Sequence, residues 1–202
     1  MPEIGRLGEV IGMPAKIAFQ GELGAYGHQA CLEARPDMEP MPCPTFEDAI
    51  EAVRKGDADL GMIAVENSTY GRVADVHHLL PESGLHIVDE AFVRVRINLL
   101  GLRGVRLEEI RAAMSHTVLL GQCRGFLREH DIAPITGADT AGSAARVAET
   151  GDRNLGALAS ALAAEIYGLS VLARDIEDHD LNTTRFVLMA REPDFSRRGP
   201  AG

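Results

Sequence analysis

Apolar and polar positions along this chain repeat with two different periods. Residues 16 to 20, KIAFQ, form a short apolar run of strand length, and glycines at 21, 24 and 27 then loosen the backbone before a helix-like run begins at His28. From Thr45 to Lys55 the apolar residues Phe46, Ala49, Ile50 and Val53 fall at i, i+3, i+4 and i+7, which is one face of a helix. Thr45 with Asp48 resembles a capping box, and Gly56 suits the end of that helix. The next run, ADLGMIAVEN, is continuously apolar and closes on Glu66 and Asn67, as a strand buried on both faces would. Residues 85 to 101 form a long β-rich stretch able to cross between two lobes.

The second half repeats the alternation. A strand is expected from Ile110 to Ser115, a helix from about Gly121 to His130, then ITGAD, and a helix from about Gly142 to Thr150. GALAS, a helix ending near Gly168, the strand-like LSVLARDIE and a last apolar strand from Arg185 complete the series. Strands alternating with helices predict an α/β protein with mainly parallel sheets. The polar REPDFSRRGPAG at the end reads as a linker or tail, residues 192–202, and residues 1–15 as a leader.

Composition narrows the class. The 202 residues suffice for one sizeable domain or two small lobes, and 46% hydrophobic with 25% charged residues is an ordinary globular balance. No apolar run reaches the roughly 18 residues of a membrane span, and no apolar h-region precedes Lys16, so a cytoplasmic location is expected. A net charge of -10 disfavours nucleic acid and anionic membranes as partners. An anionic ligand would therefore need local positive potential. Cys31, Cys43 and Cys123 show neither CxxC pairing nor zinc-ligand spacing and read as reduced thiols.

Polar clusters sit where strands end and helices begin, the usual ligand position in open α/β sheets: Gly24 to His28, Glu66 to Ser68, Ser115 to Gln122, Asp139 to Ser143, and residues 182 to 186. The glycines do not make G-x-G-x-x-G, and a dinucleotide site is not expected. Adjacent Ser115 and His116 cannot easily face each other, and no G-x-S-x-G elbow surrounds them. His77 and His78 read as solvated surface rather than metal ligands, and Asn67 and Asn182, though each opens an N-x-[ST] pattern, are not expected to carry glycans.

Taken in order, IAFQGELGAY, VENSTYG, SHTVLLGQC, DTAGSAARVAE, ALAS and NTTRF resemble the catalytic domain of prephenate dehydratase, from about Lys16 to Arg191. The resemblance implies two α/β lobes similar to type II periplasmic binding proteins, with the active site in the cleft between them. Lobe 1 would hold residues 16–94 plus 185–191, and lobe 2 residues 95–184. It also implies conversion of prephenate to phenylpyruvate without metal or organic cofactor, in a homodimer. Thr184 matches the family's essential threonine and is expected to hydrogen-bond the departing hydroxyl, with Glu66 in the second shell or supplying a proton. Asn67, Ser115, Gln122 and Thr140 are expected to bind substrate, and Arg185 to fork a carboxylate. Two departures stand out: Gly27 where the family usually has Ser, and Ser115-His116-Thr117-Val118 for the frequent S-H-P-Q. Relatives usually continue into a phenylalanine-binding ACT domain, whereas this chain stops at Gly202, so activity without phenylalanine inhibition is expected. Arogenate dehydratase and a non-catalytic solute-binding module are the rival readings.

Overall fold

The computed structural model of the protein describes residues 14–193, so most of the expected leader and tail lies outside the described residues. Lobe 1 opens with β1 (Lys16–Gln20), α1 (Tyr26–Ala34), β2 (Glu39–Cys43), α2 (Phe46–Lys55), β3 (Leu60–Asn67), the short β4 (Gly71–Arg72), α3 (Ala74–Glu82) and β5 (His86–Arg94). The chain then enters lobe 2 through β6 (Asn98–Gly101), β7 (Ala112–Ser115), α4 (Thr117–Gln122), α5 (Arg124–Glu129), β8 (Ala133–Thr136), α6 (Thr140–Thr150), β9 (Leu155–Ala159), α7 (Ala161–Tyr167) and β10 (Ser170–Ala173). It returns to lobe 1 as β11 (Thr183–Ala190). The long β-rich stretch is thus two strands in two sheets, parted at residues 95–97 where the chain crosses.

The lobe 1 sheet runs β2-β1-β3-β11-β5, with β4 on β3, and the lobe 2 sheet runs β10-β6-β9-β7-β8. Both are mixed, which corrects the expectation of mainly parallel sheets. β1 pairs in parallel with β2 and β3, as β7 does with β8 and β9, because helices join those strands. β11 runs antiparallel to β3 and β5, and β6 antiparallel to β9 and β10, because these strands carry the chain between the lobes.

Side chains alternate across the lobe 1 sheet, and both faces are covered. Ile17, Phe19, Met62, Phe186 and Leu188 pack on one side and Ala18, Ile63, Val65 and Val187 on the other, which is why β3 reads as a continuous apolar run. The α2 helix forms as its pattern dictates. The Thr45 hydroxyl accepts from the Asp48 N–H at 3.1 Å, Gly56 closes the helix at φ 85, and Ala49, Ile50, Ala52 and Val53 are buried. In lobe 2 the helix expected over 121–130 is two short helices broken at Cys123, and α6 starts at Thr140, capped by the Asp139 carboxylate accepting from Gly142 N–H at 2.6 Å.

Gly24 marks a close approach between the lobes. At φ +93, any Cβ there would lie 2.8 Å from the Cα of Ala163 in α7. The loop carbonyls beside it accept from lobe 2: Ser160 Oγ donates to Gly24 at 2.6 Å and Tyr167 donates to Leu23 at 2.8 Å. The loop is held from within by His28, whose Nδ1 accepts from Gly24 N–H at 3.0 Å. Burial lowers the pKa of that imidazole, which favours the neutral, accepting form.

Candidate active site

Between the lobes lies a cleft of about 330 Å³, within the usual range for a small-molecule site. Lobe 1 lines it with Gln20, Gly21, Tyr26, Gly27, Phe46, Met62, Ala64, Thr184 and Phe186, and lobe 2 with His116, Val118, Leu119, Ala138, Asp139 and Thr140. Among these lining residues there is no lysine or arginine. Helix α1 begins at the cleft with Tyr26 as its first residue and no acidic side chain in its first turn, so its end offers positive potential, whereas the start of α6 at Thr140 is already capped by the Asp139 carboxylate. Tyr26 bridges the lobes by donating to the Arg96 carbonyl at 2.9 Å. Burial, with Cys123 and Glu177 adding to it, pushes its phenol well above the usual value, so it remains a donor.

The polar centre is built around Asn67 and Thr184, which face each other across the β3–β11 ladder. The Asn67 carbonyl accepts from the backbone N–H of Thr69 at 3.0 Å and of Tyr70 at 3.1 Å. Those two donors fix which way the amide points. Its NH2 must then donate, and it does so to Thr184 Oγ1 at 3.0 Å and to Asn182 Oδ1 at 2.8 Å. A hydroxyl that accepts from the protein keeps its own proton for something else. Among the described residues the Thr184 proton has no acceptor, while the side chain, 9% exposed, lines the cleft.

Glu66 and Arg185, expected to support the reaction and to fork a carboxylate, take the other side of the same ladder. Ladder partners pass from Phe186–Ala64 to Arg185–Glu66, so Val65 is an extra residue in β3. Strict alternation would send Glu66 after Met62 and Ala64 toward the cleft. The bulge shifts the phase by one, so that Asn67 shares the face of Thr184 and Glu66 is exposed opposite it. Arg185 is spent on the neighbouring strand: its Nε donates to Glu90 Oε2 at 2.8 Å, and neither Arg185 nor Glu66 lines the cleft.

Thr140 lies where expected, on the cleft wall at the start of α6. Ser115 and Gln122 do not line it. Ser115 is fully buried and donates to the Leu158 carbonyl at 2.7 Å, tying β7 to β9 from within. Gln122, also buried, reaches the centre only indirectly, its Oε1 accepting from Asn182 Nδ2 at 3.0 Å.

Several cleft residues were not legible in sequence. Phe46 and Met62 read as core, and only the fold exposes one side of them to the cleft, whereas Tyr26 and Phe186 stood inside candidate clusters without a role of their own. His116 was set aside with the serine beside it, yet it caps α4 with Nδ1 accepting from Val118 N–H at 3.3 Å and turns to the cleft. Asn182 stood inside NTTRF and was weighed only as a glycan acceptor. Among the described residues no group of three His, Cys, Asp or Glu could hold a metal ion, and no helix is long and apolar enough to cross a membrane.

Two α/β lobes joined by crossing strands, with a polar centre where the last strand returns, define a protein that acts on a small molecule held between its lobes. The chain belongs to the prephenate dehydratase family, whose profile matches residues 17–194. It is 49% identical over 177 residues to a bifunctional N-acyl-homoserine lactone acylase/prephenate dehydratase of Komagataeibacter europaeus, covering 88% of this chain and 63% of that protein. It is 42% identical over 182 residues to arogenate dehydratase/prephenate dehydratase 1 of Arabidopsis thaliana, covering 90% and 46%. Among solved structures, prephenate dehydratase from Arthrobacter aurescens in complex with L-Phe matches with a TM-score of 0.84 at 31% identity, over 92% of this chain and 63% of that one. The quorum-quenching acylase GqqA also matches with a TM-score of 0.84, at 48% identity over 93% and 67%. The chain spans roughly half to two thirds of the length of these relatives.

Proposed function

We propose that this chain converts prephenate to phenylpyruvate. The observation that carries the reading is the Asn67–Thr184 hydrogen bond, which leaves the threonine proton free to donate at the edge of a cleft of substrate size. In the reaction the bond between the ring and its carboxylate breaks and carbon dioxide leaves. The electron pair completes the aromatic ring, and the ring hydroxyl departs, taking up a proton to become water. A free threonine hydroxyl is a weak acid. Thr184 therefore acts by donating a hydrogen bond to the departing oxygen, and the amide proton already donated to Oγ1 steadies negative charge that builds there.

The absence of lysine and arginine from the cleft wall fits the same chemistry. A strong ion pair would hold the ring carboxylate in its charged ground state, whereas the N-terminal amides of α1 at Tyr26 orient it with less ground-state stabilisation. The apolar wall of Phe46, Met62 and Phe186 suits the ring. Phenylpyruvate formation from prephenate, followed with the wild type and Thr184→Ala, tests the reading: an inactive wild type overturns the enzyme assignment, and an unimpaired variant overturns the role of Thr184.

Arogenate, with an amine for the side-chain keto group, is a second substrate reading, favoured by the Asp139 carboxylate on the cleft wall and by the Arabidopsis relative's double name. The ratio of kcat/KM for the two substrates decides it. The acylase named for the Komagataeibacter relative has less support here, because among the described residues no serine or cysteine lines the cleft. A cytoplasmic homodimer completes the proposal. Exposed Ile87 and Phe92 on the edge strand β5 support self-association, which sedimentation of the purified chain would measure.

A further inference from the structure

We propose that Asn182 is a positioning residue for this reaction, setting the direction of the hydrogen bonds that end at Thr184; the inference rests on the role given to Thr184 above. Asn182 is 2% exposed and lies one residue before β11, where the chain passes from lobe 2 to lobe 1. Its backbone is fixed at the other crossing, its carbonyl accepting from Val95 N–H at 2.8 Å.

Its side chain links the lobes. Asn182 Nδ2 donates to Gln122 Oε1 at the end of α4 at 3.0 Å, and its Oδ1 accepts from Asn67 Nδ2 at 2.8 Å. An amide has a donor end and an acceptor end, so each member constrains the next. Turned round, Asn182 would set its NH2 against the Asn67 NH2, whose own orientation is fixed by Thr69 and Tyr70. The order Gln122, Asn182, Asn67, Thr184 therefore has one direction, and it ends with Oγ1 accepting. Without an acceptor at 182, the Asn67 amide loses the contact that holds it over Thr184, and the threonine hydroxyl can rotate away from its donating pose.

Asn182→Leu keeps the approximate shape and removes both bonds, whereas Asn182→Asp keeps an acceptor for Asn67 and lets Gln122 rotate its amide to donate. Steady-state kinetics with prephenate are expected to show kcat down about ten- to a hundred-fold for Asn182→Leu with KM within about three-fold, since misplacement of a reacting group costs on this scale. Asn182→Asp should recover kcat to within about five-fold of wild type, a rescue that general loosening of the hinge would not produce. Thr184→Ala runs in parallel, and Thr184→Ala combined with Asn182→Leu should be no slower than Thr184→Ala alone. An active Thr184→Ala overturns the underlying reading. An impaired Thr184→Ala beside an Asn182→Leu with wild-type kcat, or equal losses for the Leu and Asp variants, overturns the inference and leaves that reading standing. If Asn182→Leu gives no cooperative melt, Asn182→Ser, too short to reach both neighbours, carries the same expectation.

Discussion

The two faces of the β3–β11 ladder are made from adjacent residues and behave as different materials. On the cleft face Asn67 and Thr184 are largely buried, their polar atoms aligned by neighbours that leave one proton uncommitted. On the outer face Glu66 is exposed, and Arg185 is half-exposed and paired with Glu90 across to β5. A charge in water can pair and re-pair at little cost, whereas an amide in a nearly dry site is fixed by its contacts. The proposed chemistry therefore uses the neutral pair, although the charged pair looks the more reactive in sequence.

Substitutions that strike one face at a time would break or sharpen this contrast. The largest effect is expected from Thr184→Ala, a fall in kcat of about a hundred-fold or more with little change in the thermal midpoint, since it removes the donor to the leaving group. Asn67→Ala should follow, with kcat about ten- to a hundred-fold lower and a stability loss of about 0.5–1.5 kcal/mol by denaturant unfolding, because the exposed N–H groups of Thr69 and Tyr70 exchange their acceptor for water. Arg185→Ala should leave kcat within about three-fold and cost about 0–1 kcal/mol, the usual worth of a solvent-screened pair. Glu66→Gln is expected to be the mildest, within about two-fold in kcat and ~0.5 kcal/mol in stability. A large kinetic loss from either outer-face variant would put the charged pair back into the mechanism.

Much of the fold was written in the chain. The apolar face of α2, its Thr45 cap and the doubly buried β3 emerge at the expected positions because local pattern and tertiary burial agree there. β2 was missed because Pro40 and Pro42 argue against a strand; it survives as a sheet edge, paired only to β1. The site was legible as a set of polar clusters at strand ends: Thr184 and Thr140 line the cleft, and Asn67 stands behind Thr184, bonded to its hydroxyl. The assignment of faces was not legible. A single extra residue, Val65, reverses alternation beyond it, and no property of Val65 announces a bulge. Ser115 and Gln122 were misplaced for a related reason: a polar residue at a strand or helix end can satisfy the backbone as readily as a ligand, and here Ser115 satisfies Leu158.

The contact at Gly24 turns this geometry into a question of traffic. With Ser160, Tyr167 and Tyr26 all bonded across the lobes, any opening of the cleft to a passing molecule would strain these hydrogen bonds, which then bear on passage as well as on architecture. The absence of one methyl group at Gly24 lets the lobes approach this closely: Gly24→Ala would act as a wedge, raising KM by holding the door ajar while leaving the Asn67–Thr184 bond inside lobe 1 in place.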